Sequence, residues 1–255
     1  MFDVSAVRAA LERAQIENAA HEARLLCEAF QGKALEDAVK RRLAREPLQY
    51  ILGEWGFWRE TYEVSPDCLV PRPDTEHLVE RAISFLPAGA RFLDLCTGSG
   101  CVAISTLCSR PDTTACAVDL FPNTLALAKR NAQRNGVADR VAFHLADVLK
   151  TPPSMGQFDA ILSNPPYICS PVIDTLSHEV HCEPHAALDG GEDGLVFYRA
   201  ILDAWRSLLL PGGFFLFEIG YDQAAALGEM AKARGLDAQV FRDFGGNDRV
   251  VLIRT

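Results

Sequence analysis

Asp94-Leu95-Cys96-Thr97-Gly98-Ser99-Gly100-Cys101-Val102-Ala103 is the stretch that decides the fold. An apolar run at 91 to 96 enters it and a helix-patterned run at 100 to 109 leaves it. Glycines at 98 and 100 let the backbone approach a ligand and adopt φ values that a Cβ penalises. The helix then begins with its free N–H groups facing the crevice. Working outward, the same alternation continues. Strands are predicted at 115 to 120, 141 to 146, 158 to 163 and 213 to 220, with helices at 122 to 135, 195 to 210 and 222 to 234. Such βαβα order means an α/β fold with a mostly parallel sheet and helices on both faces. The closely spaced runs 238 to 241 and 250 to 253 predict an antiparallel edge.

The turn alone does not name its ligand, because Gly98-x-Gly100-x-x-Ala103 also satisfies the loose dinucleotide fingerprint. Asp94 shifts the reading. A carboxylate just before the turn repels a pyrophosphate but suits an ammonium group. Asp119 ends the second strand, where a carboxylate can accept two ribose hydroxyls. Asp147, followed by Val148, ends the third near the place of an adenine, or else caps a turn. The turn residues Cys96, Thr97, Gly98, Ser99 and Gly100 with these carboxylates fit S-adenosyl-L-methionine, which has an ammonium, a sulfonium and no phosphate.

The fourth strand runs into Asn164-Pro165-Pro166-Tyr167. Two prolines cannot continue a ladder, having no N–H to donate and φ held near −65°. The turn they force presents a side-chain amide, carbonyl acceptors and an aromatic ring, a set suited to a small planar polar group. As a bare tetrapeptide it reads equally as a turn. Behind a nucleotide-type turn, it reads as the holder of a nitrogen that receives a methyl group.

Residues 1 to 46 read as a small helical unit with apolar stripes at Val4, Val7, Leu11 and Ala14, then Ala23, Leu26 and Phe30, then Leu35, Ala38, Val39 and Leu43. Its cluster Lys40-Arg41-Arg42 with Arg45 is read as a solvated helix face, with contact to an acidic partner as the alternative. Residues 47 to 74 form an aromatic connector with a hairpin expected between Trp55 and Val64. Residues 75 to 255 form the main domain. Thr75 or Asp74 is expected to cap the helix carrying Leu78, Val79, Ala82, Ile83 and Leu86. Arg72 is open between a ligand contact and a surface residue.

With 255 residues, 49% of them hydrophobic, the chain can bury a sizeable core. No apolar run reaches the roughly 18 residues of a membrane span, and the start is not a secretory leader, so a soluble cytoplasmic protein without membrane contact is expected. The eight cysteines contain no C-x-x-C pair and read as buried free thiols. A net charge of −9 disfavours stable nucleic-acid binding. His178, His181, Cys182 and His185 are too loosely spaced around Pro184 to be read as a zinc site, so no metal is expected.

Taken together, Pro71-Arg72-Pro73-Asp74-Thr75-Glu76, the turn from Asp94 to Gly100, Asp119, Asn164-Pro165-Pro166-Tyr167, Glu183-Pro184-His185-Ala186-Ala187-Leu188 and Asp248-Arg249-Val250 resemble the HemK/PrmC protein-(glutamine-N5) methyltransferases over about residues 47 to 255. The resemblance implies a class I methyltransferase, Rossmann-like, with a small helical N-terminal domain. It implies methylation of the Gly-Gly-Gln glutamine of class I peptide chain release factors, and thereby support of translation termination. In that reading Asn164, Pro165 and Tyr167 carry catalysis, Pro166 and Arg72 join them in holding the substrate, and Asn164 also borders the cofactor. Two features depart from the family pattern: Cys96 stands where glycine is usual, and the helical unit is short between Phe30 and Leu35. The Asn-Pro-Pro-Tyr element is shared with DNA adenine and ribosomal RNA guanine methyltransferases, which form one alternative. A cofactor-binding protein without turnover and a nicotinamide dehydrogenase are the others.

Overall fold

The computed structural model describes residues 3 to 255; Met1 and Phe2, which open the predicted 1 to 46 unit, lie outside the described residues. Three helices, α1 (Val4–Arg13), α2 (Ala19–Ala29) and α3 (Gly32–Leu43), are followed by a short α4 (Leu48–Leu52) that falls inside the predicted connector. Val7, Leu11, Ala23, Leu26, Leu35 and Val39 form their shared core. Val4 and Leu43, both assigned to the stripes, are instead exposed. Each stands at the end of its helix, where the apolar period runs past the neighbouring helices.

The basic cluster divides: Lys40 and Arg41 lie on an exposed face, as read, whereas Arg42 and Arg45 are neither solvated nor free for a partner. Arg42 is 5% exposed and donates to Glu22 at 2.6 Å and to Glu179 at 3.3 Å. Arg45 donates to the same Glu179 at 3.1 Å and to the Ala14 carbonyl at 2.6 Å. A charge this deeply buried persists only with such partners. Here they tie the helical unit to the loop that holds Glu183.

The predicted hairpin is present as β1 (Glu54–Phe57) and β2 (Glu60–Glu63), paired antiparallel. It docks on the main domain through Asn131, fully buried. The Asn131 Nδ2 group donates to the Glu63 and Ser99 carbonyls at 3.0 and 2.9 Å, while its Oδ1 accepts from the Glu63 N–H at 2.7 Å.

The main domain begins with α5 (Glu76–Phe85), β3 (Arg91–Leu95), α6 (Cys101–Ser109), β4 (Thr114–Asp119), α7 (Pro122–Arg134) and β5 (Val141–Leu145). It continues with β6 (Phe158–Ser163), a short α8 (Ser170–Ile173), α9 (Val196–Ala204), β7 (Leu209–Glu218), α10 (Ala224–Lys232), β8 (Asp237–Arg242) and β9 (Asp248–Arg254). The seven strands lie in the order β5-β4-β3-β6-β7-β9-β8. All pairs are parallel except β7 with β9 and β9 with β8, so the expected antiparallel edge is there. One core faces α5, α6 and α7, and a second faces α9 and α10 around Tyr198, Ile201, Trp205 and Leu227. Among the described residues no helix is long and apolar enough to cross a membrane.

The helix predicted to run from 195 to 210 ends early. A 3-10 turn covers Trp205–Leu208, and Leu209 already pairs with Phe158. Those leucines suit either structure, and the ladder with β6 decides.

The order in which strands are added reverses between the parallel neighbours β3 and β6, the switch point of the sheet. Leu95 sits opposite Ser163, so the glycine turn and Asn164 leave the same end of adjacent strands. That juxtaposition places the site.

Candidate active site

A cavity of about 490 Å³ opens at this switch point. Of the predicted residues, Arg72, Asp94, Cys96, Thr97, Gly98, Ser99, Asp119, Asp147, Val148, Asn164 and Pro166 line it. Gly100, Pro165 and Tyr167 do not.

The turn takes the shape its glycines suggested. Gly98 and Gly100 have φ of +55° and +82°, and a Cβ on Gly100 would meet Ile104 Cδ1 at 2.8 Å. Cys96, where the family usually has glycine, holds φ +58°. A non-glycine residue in this region carries a strain of about 1 kcal/mol, more if β-branched. Cys96→Gly should therefore leave ligand affinity within about threefold. Cys96→Val should lower stability by about 2 kcal/mol, as read by thermal unfolding. Burial pushes the Cys96 thiol well up, which keeps it unreactive.

Asp94 is 1% exposed and accepts the Thr97 hydroxyl at 2.5 Å. Burial pushes its carboxyl up to about 7, against the Thr97 and Ala103 hydrogen bonds that pull it down, and Asp119 adds to the rise. A folded value above the unfolded one of about 3.9 means that its stabilising share is complete below about pH 4 and is lost as pH rises through about 7. An arriving cation would relieve that cost. Asp119 Oδ2 accepts the Gly98 N–H at 3.0 Å and its Oδ1 accepts the Phe121 N–H at 3.2 Å, which holds the carboxylate at the wall with lone pairs to spare. Asp147 combines both readings: it caps its turn by accepting the Leu149 N–H at 3.0 Å and lines the cavity as well. Val148 is fixed by its carbonyl, which accepts Trp205 Nε1–H at 2.9 Å. This wall can take a ligand with a cationic end, a diol and a flat apolar ring.

At the other end, Pro165 and Pro166 are buried and Asn164 is half-buried. The Asn164 Nδ2 group donates to Thr75 Oγ1 at 3.2 Å. Thr75 makes no side-chain cap on α5, contrary to the sequence reading; its hydroxyl is turned to the site instead. The Tyr167 ring packs on the core beside α9, and its hydroxyl donates to Glu218 Oε1 at 3.3 Å. Burial, with Glu218 next to it, raises that phenol. Arg72 is not a free cation: it pairs with Glu183, which also accepts the Val70 N–H at 3.0 Å. The Pro-Arg-Pro and Glu-Pro-His segments thus meet each other at the cavity rim. His185 faces Asp189 at 3.8 Å, and among the described residues no cluster of three or more His, Cys, Asp or Glu is arranged to hold a metal ion. Of the eight thiols read as buried, Cys68, Cys101 and Cys116 are, while Cys27, Cys96, Cys108, Cys169 and Cys182 are only partly so.

Sequence reasoning missed several supports. Gly190 and Gly194 back the Asn-Pro-Pro-Tyr turn so closely that a Cβ at 190 would lie 2.7 Å from Tyr167 Cα. Gln223 Nε2 donates to the Tyr167 carbonyl at 2.9 Å. Glu218 reads from sequence only as part of the strand at 213 to 220. Its signal was a carboxylate closing the apolar run Phe214-Phe215-Leu216-Phe217, at the strand end where ligands bind.

Comparison with known proteins places these features in a family. Residues 75–200 match the methyltransferase small domain and residues 30–53 match the PrmC N-terminal domain. A release factor glutamine methyltransferase of Caulobacter vibrioides is 40% identical over 222 residues, 86% of this chain and 76% of that one. The Salmonella typhimurium protein of the same name is 41% identical, covering 86% and 79%. A methyltransferase structure from Pyrococcus furiosus shares the fold, with a TM-score of 0.58 at 21% identity over 76% of this chain and 87% of that one.

Proposed function

Because the chain belongs to the release factor glutamine methyltransferase family, we propose that it transfers the methyl group of S-adenosyl-L-methionine to the side-chain amide nitrogen of the Gly-Gly-Gln glutamine in class I release factors, in the cytoplasm and without stable nucleic-acid binding. One observation carries the reading. The glycine turn and Asn164 leave adjacent strands at Leu95 and Ser163, and Asp94, Asp119 and Asn164 line one cavity, which supports a cofactor at one end of it and an amide at the other.

The residues fit the cofactor. Asp94 suits its ammonium, Asp119 its ribose hydroxyls, and Asp147 and Val148 its adenine, while the positive-φ glycines leave room for close backbone approach. The cofactor supplies an electrophilic methyl carbon on a sulfonium.

The protein's task is the nucleophile. A carboxamide nitrogen shares its lone pair with the carbonyl and attacks poorly. Accepting both of its hydrogens, one at Asn164 Oδ1 and one at the Pro165 carbonyl, aims the remaining lone pair along the path of transfer. Proline has no N–H to compete at that carbonyl. Tyr167, expected from the sequence to stack on the amide, has its ring packed on the core and its hydroxyl on Glu218, and so supports the turn that carries these acceptors. Once alkylated, the nitrogen is acidic and its proton can leave to water or a nearby carbonyl. In this reading Arg72 acts on the substrate side through its pairing with Glu183, and the helical unit, tied to that loop by Arg42 and Arg45, contributes to docking the release factor.

Cofactor affinity should depend on pH with a definite sign. Asp94 must be ionised to hold an ammonium, so affinity at about pH 5.5 should be roughly tenfold or more weaker than at about pH 7.5. Asp94→Asn should bind weakly with no such slope; calorimetric titration at the two pH values checks both.

Incubation with methyl-labelled cofactor and a release factor tests the activity. Label should enter the wild-type factor and be absent when its loop glutamine is replaced. Label persisting on the glutamine-less factor refutes the assignment.

A further inference from the structure

The amide of Asn164 has two ends of equal shape and opposite chemistry. With Oδ1 toward the substrate it accepts an N–H; reversed, it opposes donor to donor. Its side-chain partner is Thr75 Oγ1 at 3.2 Å, but a hydroxyl can donate or accept and by itself permits either sense. Something must commit the Thr75 proton.

Glu218 is placed to do so. It ends β7 one residue past Phe217, which pairs with Ser163, so it stands beside Asn164 across the ladder. It is 1% exposed. Its Oε1 takes the Tyr167 hydroxyl at 3.3 Å, while Oε2 is buried with no hydrogen-bond partner. Thr75 lies near enough to favour the ionised form of this carboxylate, and its hydroxyl proton is not claimed by Asn164, whose Nδ2 group is the donor in their contact. An ionised carboxylate only accepts, so a Thr75 proton drawn to it leaves the Thr75 oxygen free to accept from Asn164 Nδ2. We propose that Glu218, acting through the Thr75 hydroxyl, fixes the sense of the Asn164 amide so that Oδ1 faces the substrate, a positioning role that rests on the function proposed above.

The surroundings make this arrangement sensitive to protonation. Arg249 reaches toward Glu218 from β9, Asp74 and Thr75 from the turn before α5, Tyr167 from the loop after β6 and Cys101 from α6, while the Tyr198 hydroxyl on α9 donates to the Glu218 carbonyl at 2.8 Å. Arg249 is itself held by Asp243 and Asp74 at 3.1 and 3.4 Å. Burial raises the carboxyl to about 7, and Asp74 adds to the rise while Thr75, Arg249 and Tyr167 oppose it. Protonated, Glu218 no longer draws the Thr75 proton, and the preference for one amide sense is lost. At saturating cofactor, kcat should therefore fall as pH drops through about 7.

The test compares Thr75→Val, Thr75→Ser and Glu218→Gln. With both substrates saturating, Thr75→Val should lower kcat at least about tenfold while cofactor Kd stays within about twofold, and Thr75→Ser should restore kcat to within about threefold. Glu218→Gln should lower kcat and flatten its pH profile, and the Thr75→Val, Glu218→Gln double variant should fall no further than the worse single one. Wild-type kcat in Thr75→Val, or Thr75→Ser as impaired as Thr75→Val, overturns the proposal. A second readout needs no turnover: in ¹⁵N-labelled protein the Asn164 side-chain amide resonances should move with the Glu218 titration, and that movement should vanish in Thr75→Val. If it occurs while the release factor stays unmethylated, the positioning chain stands and the glutamine reading fails. If methylation proceeds and the movement is identical in Thr75→Val, the chain fails and the reading stands.

Discussion

Asn164→Ala lowers turnover by about a thousandfold or more while cofactor Kd changes by less than about tenfold; single-turnover transfer of labelled methyl and a direct binding titration measure the two. The asymmetry follows from what the side chain does in the proposed mechanism. Its Oδ1 is one of two acceptors that orient the glutamine nitrogen, and orientation of this kind can be worth ~7 kcal/mol or more. The cofactor wall, in contrast, rests on Asp94, Asp119 and the glycine turn, which keep their own hydrogen bonds to Thr97 and to the Gly98 and Phe121 amides. Asn164→Asp separates acceptor count from charge and polarity. An aspartate keeps two acceptors but has no N–H for Thr75, so turnover falls between the wild-type and alanine values. Wild-type turnover in Asn164→Ala would remove the amide-holding mechanism.

The second large effect lies in a residue that touches neither substrate nor cofactor. Gly190→Ala places a methyl group 2.7 Å from Tyr167 Cα, 2.8 Å from the Pro166 oxygen and 2.9 Å from Gly194 Cα. All three are backbone atoms with no rotamer to change. The chain must therefore shift, at a stability cost of about 3 kcal/mol, the upper end for overpacking. The ladder holds this loop to the Asn-Pro-Pro-Tyr turn, because Ile168 donates to the Leu188 carbonyl at 3.0 Å and Gly190 donates to the Ile168 carbonyl at 2.8 Å. The displacement thus falls on Pro166 and Tyr167, within the turn that Asn164 opens, and turnover should drop by at least about tenfold, since small misplacements of reacting groups cost that much or more. Urea unfolding with an unchanged m-value reads the first effect and kcat the second. A Gly190→Ala protein of full stability and activity would show that the turn is not clamped from behind.

Much of the site was legible because its signals are local. Positive-φ glycines at 98 and 100, the proline pair after Asn164 and the carboxylates at strand ends each act through their own backbone. What escaped depends on partners far along the chain. Thr75 meets Asn164 at a separation of 89 residues and Arg42 meets Glu179 at 137, and no periodicity encodes either contact. Thr75, like Asp74, reads as a helix cap because that role needs only its neighbours, and Arg42 and Arg45 read with Lys40 and Arg41 as a solvated face because charge runs usually are. Leu209 and Leu210 extended a helical pattern until the pairing of Leu209 with Phe158 claimed them for β7.

The sequence alone therefore determined the alternating α/β order, the glycine turn proposed to receive the cofactor and the rigid turn proposed to receive the amide, because torsional limits and apolar periodicity act over a few residues. Tertiary structure alone decided that these two turns leave neighbouring strands, that Arg72 answers Glu183, and that Glu218 and Thr75 stand behind Asn164. Strand order and register settle those distances, and they are set by how whole layers pack rather than by any segment's own preference.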